Sequence, residues 1–94
     1  MLKTLEDLIK IIRERKSSSD DSSYTAKLLK DKSLSVEKVK EEIGELIEAI
    51  ENNSNKVHEA ADVLYHLLVY LEVNGVRIED IMDELEKRKK KKES

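Results

Sequence analysis

Apolar residues recur every three or four positions along most of this chain, the period of helices laid against a core rather than the alternation of half-buried strands. Leu2, Leu5, Leu8, Ile9 and Ile12 set the first stripe and predict a helix to about Lys16, with Thr4 as its cap. The pattern lapses at Ser17, Ser18, Ser19, Asp20, Asp21, Ser22 and Ser23, whose side chains compete for backbone hydrogen bonds, so 17–23 is expected to be a mobile loop. A short helix is expected from about Tyr24 to Lys30. Ser33 or Ser35 can cap a third, in which Val36, Val39, Ile43, Leu46, Ile47 and Ile50 form one apolar stripe, until Asn52, Asn53, Ser54 and Asn55 stop it.

A fourth helix, from about Lys56 to Val73, carries Val57, Ala60, Ala61, Val63, Leu64, Leu67, Leu68 and Leu71 on a wide face and is expected to be the most buried. Asn74 and Gly75 suit a left-handed helix end, where glycine has no Cβ to clash. The last helix begins between Val76 and Glu79 and has Ile78, Ile81, Met82 and Leu85 as its apolar side. Nothing apolar follows Leu85, so the basic run at 89–94 is expected to be a frayed, solvated tail suited to a helix C-terminus.

The reading is therefore a single all-α domain over 1–94, a short bundle of about five helices. Composition changes it in one respect. A chain of 94 residues whose aromatics are only Tyr24, Tyr65 and Tyr70 makes a thin core, since a domain this small buries little more than about 60 % of the surface its unfolded chain exposes. Completion by dimerisation, or a higher homo-oligomer, is expected. The absence of cysteine excludes disulfides and thiolate zinc sites, and no 18-residue apolar span or signal-like stretch occurs, which makes a cytoplasmic location and no membrane partner the expectation. A net charge of −3 argues against general nucleic-acid binding.

The chemistry lies on helices three and four. Glu42 borders the apolar stripe of helix three and shares an edge with Glu45, while Glu41 and Glu48 lie farther round. Glu59 and Asp62 share an edge of helix four, with His66 one turn on. Like charges three and four apart repel, and if the two helices pack antiparallel the two pairs converge on a place where partly buried carboxylates require a cation. Oxygen ligands alone select a hard ion such as Mg²⁺, with Mn²⁺ as a substitute, over zinc. A di-iron site would need Glu-x-x-His on two helices, and neither His58 nor His66 has a glutamate three residues earlier. Spacing alone leaves an acidic solvated face as an equal alternative.

Glu41-Glu42-x-x-Glu45, thirteen intervening residues and Glu59-x-x-Asp62 resemble the EExxE and ExxD signature of the all-α nucleotide pyrophosphohydrolase superfamily. The segments Ser23 to Leu29, Lys38 to Glu42, Glu59 to Leu68 and Asp83 to Arg88 are similar, in order, to phosphoribosyl-ATP pyrophosphatases. Lys40 stands where that family usually has glycine, and the loop before Ser23 lacks the glycine or proline expected there.

The resemblance implies hydrolysis of phosphoribosyl-ATP to phosphoribosyl-AMP and pyrophosphate, the second step of histidine biosynthesis, with Glu42, Glu45, Glu59 and Asp62 holding Mg²⁺. It implies that Glu41 orients or deprotonates the attacking water, or binds a second ion, unless it is simply solvated. It places Ser23, Tyr24, Thr25 and Lys27 against the substrate's phosphates and base, and Arg88 within reach of a phosphate. His66 reads as a hydrogen-bonded structural residue. Two alternatives share these features: a housecleaning hydrolase of another nucleoside triphosphate or deoxynucleotide, and a non-catalytic helical oligomerisation module.

Overall fold

The computed structural model describes residues 1–18 and 22–93, with side chains as far as Lys91. Five helices follow in order: α1 (Lys3–Ser17), α2 (Tyr24–Lys30), α3 (Lys32–Glu51), α4 (Lys56–Val73) and α5 (Ile78–Glu93). Residues 19–21, the centre of the Ser/Asp-rich loop, lie outside the described residues.

Local chemistry accounts for most boundaries. Ser23 caps α2 by accepting from the Ala26 N–H at 3.0 Å. Asp31, in extended conformation, ends α2 and starts α3: its N–H donates to the Leu28 carbonyl and its Oδ1 accepts from the Leu34 N–H at 3.0 Å. This corrects the expected cap at Ser33 or Ser35, both of which lie inside α3, because Asp31 offers an equally good acceptor immediately after the chain leaves α2. Thr4 likewise lies inside α1, whose cap position is Leu2 with no side-chain bond. Asp31→Ala is expected to cost about 1 kcal/mol, a Tm drop of roughly 4–8 °C for a domain of this size, measurable by thermal melting.

The ends of α3 and α4 share one device. The Ser54 N–H donates to the Ala49 carbonyl and the Val76 N–H to the Leu71 carbonyl, both at 2.9 Å, with Asn53 and Gly75 left-handed at φ 52° and 70°. Each is a Schellman ending, and both Asn53 and Gly75 are types that tolerate that conformation. The first of them folds α3 back onto α4 as an αα-hairpin, the most extensive helix pairing in the chain.

The core is small. Ile12, Leu28, Leu68 and Val69 form its centre, surrounded by Leu5, Leu8, Ile9, Leu29, Leu34, Tyr65, Val73 and Ile78, so it lies between α1, α2 and α4. The α3 stripe buries Val39 but leaves Ile43, Ile47 and Ile50 exposed, and α4 leaves Val57, Leu64 and Leu67 exposed. The expected burial of these faces is not met within one chain. The chain exposes 7130 Å², about 1,500 Å² more than the roughly 5,600 Å² of a compact monomer of its mass. Its radius of gyration is 15.0 Å, against about 12 Å for a compact domain of this length.

α5 contributes to this extension. It buries no residue completely and makes no extended packing with α3. Its start is pinned by a two-pronged pair, Arg13 Nη1 and Nη2 donating to the Glu79 carboxylate at 2.9 and 2.6 Å, which holds that carboxyl down to about 2. The basic run expected to fray is helical through Glu93, with Lys87 to Lys91 exposed. Among the described residues no helix is long and apolar enough to cross a membrane.

Candidate functional site

Folding α3 back along α4 brings the two acidic pairs face to face. Ligand oxygens of Glu42, Glu45 and Glu59 lie within 4.8 Å of one another, and those of Glu59 and Asp62 group in the same way with a ring nitrogen of His58. Glu42 is only 9 % exposed. Its Oε2 and that of Glu59 are buried without a hydrogen-bond partner. Burial, then proton sharing with Glu45 and repulsion from it, raises the Glu42 carboxyl above its ordinary range. Burial followed by repulsion from Glu45 does the same to Glu59, against a smaller opposing pull from His58. Beside the cluster a cleft is lined by Glu45, Glu48, Asn52, Ser54, Asn55 and Glu59, which places Glu48 at its rim.

Orphaned, buried carboxylate oxygens held together are costly unless a proton or a cation is shared among them. The donor set fits a hard dication: at least three carboxylates from two helices, with one imidazole at the edge. His58, which spacing alone did not mark as a ligand, has Nε2 at 3.4 Å from Asp62 Oδ2 one turn away. Glu41 is exposed and is not among the grouped ligand oxygens; its Oε2 lies 3.5 Å from Lys38 Nζ.

The short α2 packs its first turn against α4. The Tyr24 hydroxyl is 3.0 Å from His66 Nε2, the Thr25 hydroxyl bonds the Tyr65 hydroxyl, and the Tyr24 and Tyr65 rings stack with centroids 6.3 Å apart. His66 Nδ1 is 2.8 Å from the Asp62 carbonyl. A carbonyl only accepts, so Nδ1 carries the proton and, in the neutral ring, Nε2 accepts from Tyr24. His66, 7 % exposed, thereby ties the α2 tyrosine to the backbone of a site carboxylate. Its structural reading from sequence agrees with this geometry. The hydroxyls of Ser23 and Thr25 are engaged within the fold, and Lys27 is exposed on α2. Arg88 pairs with Glu84 at 3.1 Å on α5, and it is not brought to the carboxylate cluster of α3 and α4.

The family model described as phosphoribosyl-ATP pyrophosphohydrolase matches residues 5–89. The chain belongs to the phosphoribosyl-ATP pyrophosphohydrolase family. The match spans every candidate site residue from Ser23 to Arg88 and stops within the basic run. Phosphoribosyl-ATP pyrophosphatase of Methylobacterium nodulans is 46 % identical over 93 residues, 90 % of this chain and 82 % of the relative. The protein of the same name from Methanobrevibacter smithii is 33 % identical over 90 residues, 90 % of this chain and 93 % of that one. The histidine biosynthesis bifunctional protein HisIE of Thermotoga maritima is 41 % identical over 87 residues, which cover 89 % of this chain and 44 % of that protein. No solved structure matches the chain.

Proposed function

We propose that the chain hydrolyses phosphoribosyl-ATP to phosphoribosyl-AMP and pyrophosphate, the second step of histidine biosynthesis, with Mg²⁺ or Mn²⁺ held by Glu42, Glu45, Glu59 and Asp62. Water adds across the anhydride between the α and β phosphorus atoms, so one product keeps the α-phosphate and the other leaves as pyrophosphate. The observation that carries the metal assignment is the pair of buried, partnerless oxygens on Glu42 and Glu59. A bound dication there neutralises the polyphosphate's charge and lowers the pKa of water.

The chain's own groups supply position. An acidic cluster repels a polyphosphate, so affinity in the absence of a cation is expected to be negligible. Glu41, exposed and one residue from Glu42, is the proposed group that orients or deprotonates the attacking water. The ring of Tyr24, half exposed and locked by His66, offers a face for the base. Lys27, Ser23, Thr25 and, from a second copy, Arg88 complete the candidate contacts to phosphate. The functional unit is a homodimer in the cytoplasm, its exposed α3 and α4 faces packed together, because the uncovered surface exceeds the roughly 800 Å² per partner that a stable interface takes.

The deciding experiment is product analysis with phosphoribosyl-ATP beside ATP and deoxynucleoside triphosphates. The metal site sees only phosphates, whereas polar contacts to the added ribose phosphate reject a substrate lacking it, so the expected preference is on the order of 100-fold or more in kcat/KM. Comparable efficiency on ATP or on a deoxynucleotide would make the chain a housecleaning hydrolase. No hydrolysis of any of them, with the fold intact, would leave a helical module.

A further inference from the structure

Lys38 is a cation that the carboxylate motif does not use. It lies on α3 four residues before Glu42 and seven before Glu45, hence on the same helix face, one turn of about 5.4 Å beyond the nearer of them. Its side chain is only 32 % exposed, yet its ammonium touches a carboxylate no closer than Glu41 at 3.5 Å, the outer edge of hydrogen-bonding distance. Glu41 and then Tyr24 and Glu42 hold that ammonium in its charged form. In return Lys38 opposes the upward push that burial gives the Tyr24 phenol. The ammonium thus sits beside Glu41, one helical turn before Glu42 on the same face of α3, and its charge acts on the α2 tyrosine.

Stability does not account for this placement. An i,i+3 surface pair at that distance returns little of the rotamer entropy lost in ordering a lysine. The Tyr24 hydroxyl is committed to His66 Nε2, so it has no proton left for an anion. What this edge of the site offers a phosphate is a strongly hydrated point charge on a flexible stem, with three donors and one weakly held partner.

We propose that Lys38 forms a phosphate subsite, its ammonium leaving Glu41 to pair with a substrate phosphate next to those held at the carboxylate cluster. The proposal rests on the nucleotide-hydrolase reading above and names a residue specific to that reading. Glu41 then keeps the lysine oriented toward the site in the free enzyme, where an unpaired ammonium would drift into solvent.

The test compares Lys38→Met, which keeps the stem, and Lys38→Arg, which keeps the charge, with the unaltered protein. The readouts are KM and kcat for phosphoribosyl-ATP and for ATP, and calorimetric binding of inorganic tripolyphosphate with Mg²⁺. Loss of one charge-assisted contact corresponds to about a 10- to 100-fold weaker interaction, so Lys38→Met is expected to raise KM by that factor with kcat changed less than about threefold. Lys38→Arg is expected to recover most of the loss, and the Mg²⁺-induced rise in Tm should persist in both variants.

A KM rise for both nucleotides, with weakened tripolyphosphate binding, supports the subsite and places it on the triphosphate. A rise confined to phosphoribosyl-ATP, with tripolyphosphate unaffected, supports it and places it on the added ribose phosphate. If Lys38→Met leaves both KM and tripolyphosphate affinity within about twofold of the unaltered protein, or if arginine recovers nothing, the subsite is overturned. Failure of the broader reading looks different: the unaltered protein then turns over no phosphoribosyl-ATP, while tripolyphosphate titration of the same three proteins still reports on Lys38.

Discussion

Replacing Glu45 by glutamine is expected to lower kcat/KM at least about 1,000-fold, several kcal/mol of lost charge stabilisation, while the circular dichroism of the helices stays unchanged. Among the neighbouring carboxylates Glu45 acts most strongly on both Glu42 and Glu59, ahead of Asp62. Glutamine keeps its shape and removes its charge. The same change should stabilise the metal-free protein slightly, because a repulsive partner is replaced by an amide able to donate to one of the orphaned oxygens on Glu42 and Glu59. Thermal melts should therefore separate the two states. Mg²⁺ should raise Tm in the unaltered protein and hardly at all in the variant.

The sign of the pH dependence follows from the same carboxyls. Glu42 and Glu59 have folded values above the ordinary 4.5, so between that value and their raised ones the folded chain holds more protons than the unfolded chain. Their contribution to metal-free stability therefore falls as pH rises through that window and is greatest below it. With Mg²⁺ the direction reverses, since ligands bind it only when ionised. Melts with Mg²⁺ and with a chelator, taken from pH 5 to 8, should converge toward the acid end and diverge toward neutrality. Near-normal turnover by Glu45→Gln at limiting Mg²⁺ would remove Glu45 from the ligand set.

What could be read from the chain was what is decided locally. The Asn52 to Asn55 stop and the Gly75 ending depend on a few neighbouring residues and lie where the sequence placed them, whereas Ser23, read only as the end of a loop, caps α2. The start of α3 was less legible, because Asp31, Ser33 and Ser35 are comparable acceptors and the choice depends on where α2 releases the chain. The approach of Glu42 and Glu45 to Glu59 followed from a short connection between two helices with acidic edges. The Tyr24 bond to His66 and the Thr25 bond to Tyr65 carried no such signal, for they join residues 42 and 40 positions apart through the docking of α2. Lys38 was visible at helical spacing from Glu42 but reads as an ordinary surface lysine until the docking of α2 brings Tyr24 within reach of its charge. Periodicity also marked Ile43, Ile47 and Ile50 as apolar without saying whether their cover comes from the same chain.

That last question makes Ile47→Asp the most informative surface change. Ile47 is 53 % exposed, and with Ile43 and Ile50, at helical spacing, it forms an uncovered row on α3. On a monomer, a polar residue at such a position alters stability by no more than about 0.5 kcal/mol. In a two-fold dimer the same patch meets its copy, so each substitution acts twice. Each removes the roughly 1.5–3 kcal/mol of burying an isoleucine and adds the cost of covering an unpaired carboxylate. The dimer constant is expected to weaken by at least about 1,000-fold, enough to dissociate a micromolar sample. Sedimentation should show the unaltered protein as a dimer across the micromolar range and Ile47→Asp as a monomer with a lower, concentration-independent Tm. Hydrolysis should fall with dissociation, since α3 would lose the packing that holds Glu42 and Glu45 in place. An unaltered protein that sediments as a well-folded, active monomer would mean that this face is covered by nothing, and an Ile47→Asp variant with unchanged mass and Tm would place the interface elsewhere.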